Sequence, residues 1–140
     1  GLFLGVGSLF IMVFNGGFLG AAAAHLVNLN QGEPFFTFVI AHGAPELTAI
    51  VLAGGSGLRL GWALIAPGPH TRLDALRLAA KKTLPVVYGV ILLLLGAAFI
   101  EAFWSPRELP VAWKYGVGTA LWILVLGYLL FGGRAAGERG

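Results

Sequence analysis

The sequence predicts an all-α fold: a polytopic transmembrane helical bundle of about four spans, with a further amphipathic helix at the cytoplasmic surface. Hydrophobic residues make up 58% of the 140 residues and charged residues only 11%, against about 45–50% and about 25% in soluble domains. The apolar residues form runs near the roughly 20 residues that a helix needs to cross a bilayer. Short polar or Gly/Pro-rich segments separate these runs. Such a composition excludes an ordinary soluble domain.

Each apolar run defines one predicted span of a single transmembrane domain, residues 1–140. The four spans lie near residues 1–27, 35–57, 84–104 and 110–131. A glycine-rich stretch at residues 54–57 is expected to interrupt the second span and to begin a cytoplasmic loop at residues 58–83, although the apolar residues 58–66 can continue the helix as a bent or interfacial extension. The chain begins without methionine inside an apolar run, so we expect an N-terminal portion to precede it.

Within this loop, residues 71–84 have the pattern of an amphipathic helix. Thr71 and Asp74 stand three residues apart, the spacing of a capping box. Leucines and alanines recur at helical spacing among four basic residues. Two placements are open for such a helix: on the surface of an anionic leaflet, or packed against the bundle as an ordinary loop helix.

The basic residues are distributed unevenly between the two sides of the four-span bundle. Seven of the nine lie in the loop at residues 58–83 or in the tail after residue 131. The positive-inside rule makes this side cytoplasmic, so we predict a multi-pass protein of the cell membrane with both ends of the chain in the cytoplasm. The same distribution accounts for the net charge of +3, and we predict no nucleic-acid partner.

Composition also bears on chemistry and on partners. The chain has no cysteine, which excludes disulfides, thiolate metal sites and thiol catalysis. It has 22 glycines, including Gly16 and Gly20 at four-residue spacing, which lets helices approach closely. The same spacing arises by chance in glycine-rich apolar sequence. We take the glycines as an indication of tight packing and expect self-association as a dimer, with membrane lipid as the other partner.

The polar and ionisable residues within the spans are candidates for a site. His42, Glu46 and Glu101 lie in apolar sequence, where a charge at the bilayer centre costs several kcal/mol, about 2.5–3.5 on insertion scales. His42 and Glu46 share one helix face because they are four residues apart. At about 1.5 Å per residue, Glu101 and Asn15 reach the same outer half of the bundle. His25, near the outer end of the first span, is a further supporting polar residue.

Three interpretations of this cluster are open. It can be structural, holding the helices in register through hydrogen bonds. It can bind a divalent metal through His42, Glu46 and Glu101, with zinc before other ions. It can also belong to an ion or proton pathway. Residues 42–46 lack the two histidines of the His-Glu-x-x-His motif, so we assign no catalytic residue and no organic cofactor, and a non-enzymatic protein is favoured.

Several stretches of the chain resemble a known family of membrane proteins. They are Phe14-Asn15-Gly16, His42-Gly43-Ala44-Pro45-Glu46-Leu47, AIVLAGGSGLRLGWAL at residues 49–64, and Phe99-Ile100-Glu101-Ala102-Phe103 followed by Pro106. In these residues, which occur in the right order along nearly the whole chain, the protein resembles the stage II sporulation protein M family. The resemblance implies a polytopic bacterial or archaeal membrane protein, with a cytoplasmic segment and a further span before Gly1.

The resemblance also implies a function. In spore formers, members of the family look like membrane anchors for peptidoglycan-degrading proteins during engulfment of the forespore, and members also occur in organisms that do not sporulate. We therefore expect a membrane scaffold or anchor that organises partners such as cell-wall remodelling enzymes, with a buried His/Glu cluster that can bind a divalent metal. Two alternatives are an intramembrane metalloenzyme of the hydrolase type and, less favoured, a small-solute or ion transporter.

Overall fold

The computed structural model describes residues 5–131, which fold into four α-helices. These are α1 (Val6–Asn28), α2 (Gly32–Ile65), α3 (Arg72–Phe103) and α4 (Val111–Phe131). No β-strand occurs within residues 5–131, and each helix is long and apolar enough to cross a membrane. The predicted all-α, four-span fold is confirmed. The start of the first predicted span and the basic tail after residue 131 lie outside the described residues.

The central element is α2, because each of the other three helices packs mainly against it. Most of its buried residues are small, and several of them lie close together between residues 41 and 49. They include Ala41, Gly43, Ala44, Thr48 and Ala49. Among the described residues, the buried hydrophobic positions are six alanines and Val90, whereas Phe14, Phe18 and Leu92 are exposed. Small side chains inside let helix backbones approach closely, and large apolar side chains outside suit a surface that faces acyl chains.

The second helix continues through the glycine-rich stretch that was expected to interrupt it. It runs without a break to Ile65, so the continuation over the apolar residues after 57 is helical. A glycine inside a helix costs only about 1 kcal/mol relative to alanine, and Gly54 has a packing role. A Cβ atom at Gly54 would collide with the thioether of Met12 on α1. Gly54 is therefore a contact point between α1 and α2 rather than a helix break.

The predicted amphipathic helix and the third span form one continuous helix, α3, with no break at residue 84. Thr71 caps its start: the Thr71 hydroxyl oxygen accepts from the Asp74 amide at 3.2 Å, and the hydroxyl donates to the Asp74 carboxylate at 2.6 Å. Pro85 lies inside the helix and has no N–H to donate to the carbonyl of Lys81. Lys81 is exposed, so water can reach a carbonyl freed at this position.

Gly118 is the buried contact of α4 with α2, and its substitution tests this packing. A Cβ atom at Gly118 would lie 2.6 Å from the Ile40 side chain and 2.9 Å from the Ile40 carbonyl oxygen, whereas one at Gly116 meets nothing within 4 Å. We expect Gly118→Ala to lower the free energy of unfolding by about 1–3 kcal/mol, since backbone must shift to relieve overpacking. Gly116→Ala is the matched control. Equal midpoints of thermal unfolding for the two variants in mild detergent would contradict close α2–α4 packing.

Single-cysteine labelling tests the predicted orientation. The chain has no cysteine of its own, and Glu33, Lys81 and Arg107 are all exposed. Because basic residues are retained in the cytoplasm, Glu33→Cys and Arg107→Cys should react with an impermeant thiol reagent added to intact cells. Lys81→Cys should react only after lysis. The opposite labelling pattern would invert the predicted orientation.

Candidate functional site

His42 is the most enclosed ionisable side chain that the structure describes. It lies in a run of consecutive buried residues of α2, 41–45, and its own side chain is 5% exposed. Its Nδ1 atom lies 3.0 Å from the hydroxyl oxygen of Ser105. The edge-to-face contact with Phe38, with ring centroids 5.2 Å apart, fixes the plane of the imidazole from within the same helix. His42 is thus held by one polar and one aromatic contact.

Ser105, the polar partner of His42, follows the end of α3. Backbone carbonyls at a helix end need partners outside the helix. The Ser105 amide donates to the Ile100 carbonyl at 2.9 Å and closes the last turn. Arg107 donates through Nε to the Phe103 carbonyl at 2.8 Å, and Lys114 donates through Nζ to the Ser105 carbonyl at 2.9 Å. Cationic groups at a helix C-terminus are also favoured by the helix dipole. Two side chains therefore act as C-terminal caps of α3.

We name His42, Ser105 and Lys114 the Ser105 latch. Ser105 is 2% exposed, and it receives a contact from α2 through His42 and from α4 through Lys114. His42 lies ten residues after the start of α2, so α3 ends well inside the length of its neighbour instead of level with its first residue. Buried polar groups need hydrogen-bond partners. The latch provides them for the hydroxyl and the carbonyl of Ser105 and links α2, the α3–α4 turn and α4 at one point.

The latch has the residue types of a nucleophile and its base, but the low exposure of both side chains favours another role. A serine hydroxyl next to a histidine nitrogen is the pairing found in nucleophilic catalysis. Such chemistry needs a substrate to reach the hydroxyl, and both Ser105 and His42 are almost fully enclosed. A buried hydrogen bond between helices fits this geometry better, since it satisfies both groups without any third partner.

The other predicted site residues are not among the contacts of the latch. Glu46 is half-buried on α2, whereas Glu101, Asn15 and His25 are exposed. Asn15 donates its amide to a carbonyl of its own helix, that of Ile11, at 2.8 Å. Glu101 stands two residues before the end of α3, where an acidic side chain can reach the membrane interface.

These positions bear on the predicted metal site. Within residues 5–131, no group of three His, Cys, Asp or Glu side chains is placed to hold a metal ion. The structure therefore joins His42 to Ser105 rather than assembling His42, Glu46 and Glu101 as a ligand set. Binding of zinc or another divalent ion stays a prediction.

Sequence reasoning missed two members of the latch, Ser105 and Lys114. Ser105 precedes a proline in a short polar turn, and such a residue is ordinarily solvated. Lys114 is near the start of an apolar helix, where a lysine usually extends to the interface. A usable signal was present, because Arg107 and Lys114 are the two basic residues outside the basic segments. Basic residues on that side of the bundle are unexpected from the charge distribution, and their hydrogen bonds to carbonyls at the end of α3 account for them.

The fold and the latch define the class of protein: a multi-pass helical membrane protein whose polar interior residues connect its helices. Residues 1–106 match the family described as Stage II sporulation protein M. The match covers 106 of the 140 residues, and the chain belongs to this family, which confirms the resemblance seen in the sequence. His42 and Ser105 both lie within the matched residues. No curated protein and no solved structure matches the chain.

A double-mutant cycle tests the latch. We expect Ser105→Ala to lower the free energy of unfolding by about 1–3 kcal/mol, because a buried imidazole nitrogen loses its partner. His42→Ala removes the other half of the contact, so the double variant should be less destabilised than the sum of the two single variants. Ser8→Ala, at a half-buried serine of α1, is the matched control. Costs that add within about 0.3–0.5 kcal/mol would show that the two side chains do not interact.

A chelator added to the same unfolding measurements separates hydrogen bonding from metal binding. A hydrogen-bonded latch requires no ion, so the thermal midpoint of the wild type should not change. If zinc is bound through His42, the chelator should lower the wild-type midpoint and leave His42→Ala and Glu101→Gln unaffected, because binding to the folded state alone stabilises it.

Proposed function

We propose that the protein is a membrane scaffold or anchor that self-associates in the cell membrane and organises partner proteins such as cell-wall remodelling enzymes. The observation that supports a structural role best is the Ser105 latch. Its buried polar groups are used to hold three helices together, with Ser105 only 2% exposed. Membership of the Stage II sporulation protein M family agrees with an anchoring role.

The enzymatic alternative has weaker support. A catalytic zinc site keeps one coordination position open for water or substrate. The described residues contain no three-residue ligand group, and the one serine–histidine pair is enclosed. A transporter needs a polar path through the bundle, whereas the cleft between α2, α3 and α4 is lined almost entirely by apolar side chains. The scaffold is therefore the function that we propose.

The first helix is the surface that we propose for self-association. It packs mainly on α2, and none of its residues is buried. Gly16 and Gly20 are exposed, and a Cβ atom at either position would meet nothing within 4 Å. A second copy of the chain can approach α1 closely at these glycines and gain van der Waals contact that lipid does not provide.

Substitution of these glycines tests self-association. We expect the wild type to be a dimer or larger in mild detergent and in lipid nanodiscs. Gly16→Leu combined with Gly20→Leu should raise the dissociation constant of the dimer about tenfold, which is a loss of about 1.4 kcal/mol of association free energy. Gly96→Leu is the control, since Gly96 is equally open on another helix. A wild type that is monomeric by mass measurement in both media would overturn the proposal of self-association.

Crosslinking and deletion of the chain test the scaffold function. Crosslinking in native membranes, followed by purification of this protein, should recover a peptidoglycan-degrading enzyme together with the wild type. Membrane localisation of that enzyme should depend on the presence of the wild-type chain. If the enzyme is neither crosslinked nor displaced when the chain is deleted, the proposed anchoring role is wrong even if the chain dimerises.

A further inference from the structure

A cleft opens between α2, α3 and α4 at a distance from the Ser105 latch. Its volume is about 630 Å³, within the range of roughly 300–1,000 Å³ that is usual for small-molecule sites. Leu52 of α2, Gly89 of α3 and Leu124 of α4 are among its lining residues. Thr48 also lines it, but its hydroxyl already donates to the Ala44 carbonyl at 2.7 Å. The surface offered to an occupant is therefore apolar.

The length of the cleft suits an acyl chain of one leaflet. On α3 it extends from Pro85 to Leu93, which is about 12 Å at a rise of 1.5 Å per residue. This length is close to the hydrocarbon depth of one leaflet, half of about 30 Å. An extended hydrocarbon chain can follow the cleft along α3.

Two lysines stand at one end of the cleft. Lys81 and Lys82 precede Pro85 and Val86 by four residues each, so each shares a helix face with a residue that lines the cleft. Both lysines are exposed.

The nearby acidic charge is already engaged. Asp74 is the only acidic residue between residues 58 and 83. Its carboxylate accepts from Thr71 at 2.6 Å and pairs with Arg77 at 3.5 Å. The lysine pair is therefore available to an anion from outside the chain.

We propose that this cleft binds one anionic phospholipid from the membrane leaflet in which the cleft lies. One acyl chain occupies the cleft, and the headgroup phosphate lies at Lys81 and Lys82. Clusters of basic residues at the membrane surface attract anionic headgroups, and the continuous course of α3 joins that charge to the apolar cleft. Tyr128, which lines the cleft and is 76% exposed, lies at its rim. This assignment does not depend on the scaffold function.

Filling the cleft tests the acyl-chain part of the proposal. The full chain in mild detergent is titrated with phosphatidylglycerol, and bound lipid is counted by native mass spectrometry. A Cβ atom at Gly89 would meet nothing within 4 Å, so Gly89→Phe projects a side chain into the cleft. We expect this variant to bind phosphatidylglycerol about tenfold more weakly than the wild type. Gly96→Phe, at an equally open glycine of α3 that does not line the cleft, should bind normally.

Removing the charge tests the headgroup part. The wild type should prefer phosphatidylglycerol to phosphatidylcholine with the same acyl chains. Lys81→Gln combined with Lys82→Gln should lower this preference by about fivefold per lysine. Arg72→Gln, an exposed residue at the start of α3, is the matched control and should keep the preference.

Three results would overturn the proposal: equal retention of the two lipids by the wild type, undiminished lipid binding in Gly89→Phe, or loss of the dimer in Gly89→Phe. The last result would assign the cleft to a second copy of the chain. If Gly89→Phe does not fold, the wild type is photolabelled with phosphatidylglycerol that carries a diazirine in its acyl chain. Labels concentrated on Leu92 and Leu124 support the cleft, whereas labels spread evenly over exposed leucines of all helices mean ordinary surrounding lipid and overturn it.

Discussion

Close approach of three helices to the small-residue surface of α2 is the constraint on which the rest of the structure depends. Acyl chains are as apolar as leucine, so a membrane bundle gains little by burying large side chains and must gain contact through close backbones. Gly54 faces Met12 of α1, and Gly118 faces the backbone of Ile40. Because α1, α3 and α4 all pack mainly on one helix, the surface of α1 stays uncovered and a cleft opens beside α2.

The polar latch follows from the same arrangement. The turn after α3 lies against α2 and α4, which buries Ser105 at 2% exposure. Buried backbone and hydroxyl groups require partners when no water is present. His42 and Lys114 provide those partners, and Arg107 caps the Phe103 carbonyl. Arg107 and Lys114, the two basic residues outside the basic segments, are thus fixed by local hydrogen bonding. They do not weaken the charge asymmetry from which the orientation is predicted.

The sequence predicts the number of spans, the helical class and the family, because apolar length and family motifs are carried by residues near each other in the chain. It does not predict that α2 runs on to Ile65, or that the amphipathic helix and the third span form one helix. Propensity argues for breaks at residues 54–57 and at Pro85, and the tertiary contact of Gly54 with Met12 overrides that preference locally. Pairing of His42 with Ser105 spans 63 residues of sequence, so no local spacing rule reveals it.

The predicted metal ligands, His42, Glu46 and Glu101, show the same limit of prediction from local sequence. His42 and Glu46 share a face of α2 by helical spacing alone, but spacing within one helix does not determine what another helix brings to that face. The end of α3 brings Ser105 to His42, while Glu101 lies exposed near the last turn. Depth estimates from span ends placed these residues in the same outer half of the bundle, whereas the structure sets Ser105, two residues after α3, beside His42, the eleventh residue of α2. Relative axial shift of helices is therefore the quantity that the sequence leaves undetermined.

The two ends of the bundle differ in a way that suits an anchor. On the proposed orientation, the Ser105 latch lies toward the outside of the cell and the lysine-flanked cleft toward the cytoplasm. The latch holds the α3–α4 turn to α2 and α4, so that turn is ordered before any partner arrives. A surface that is already ordered loses less conformational entropy on binding. In the proposed scaffold, an outside partner would meet the turn that the latch holds, and lipid would occupy the cleft at the opposite half of α3 and α4.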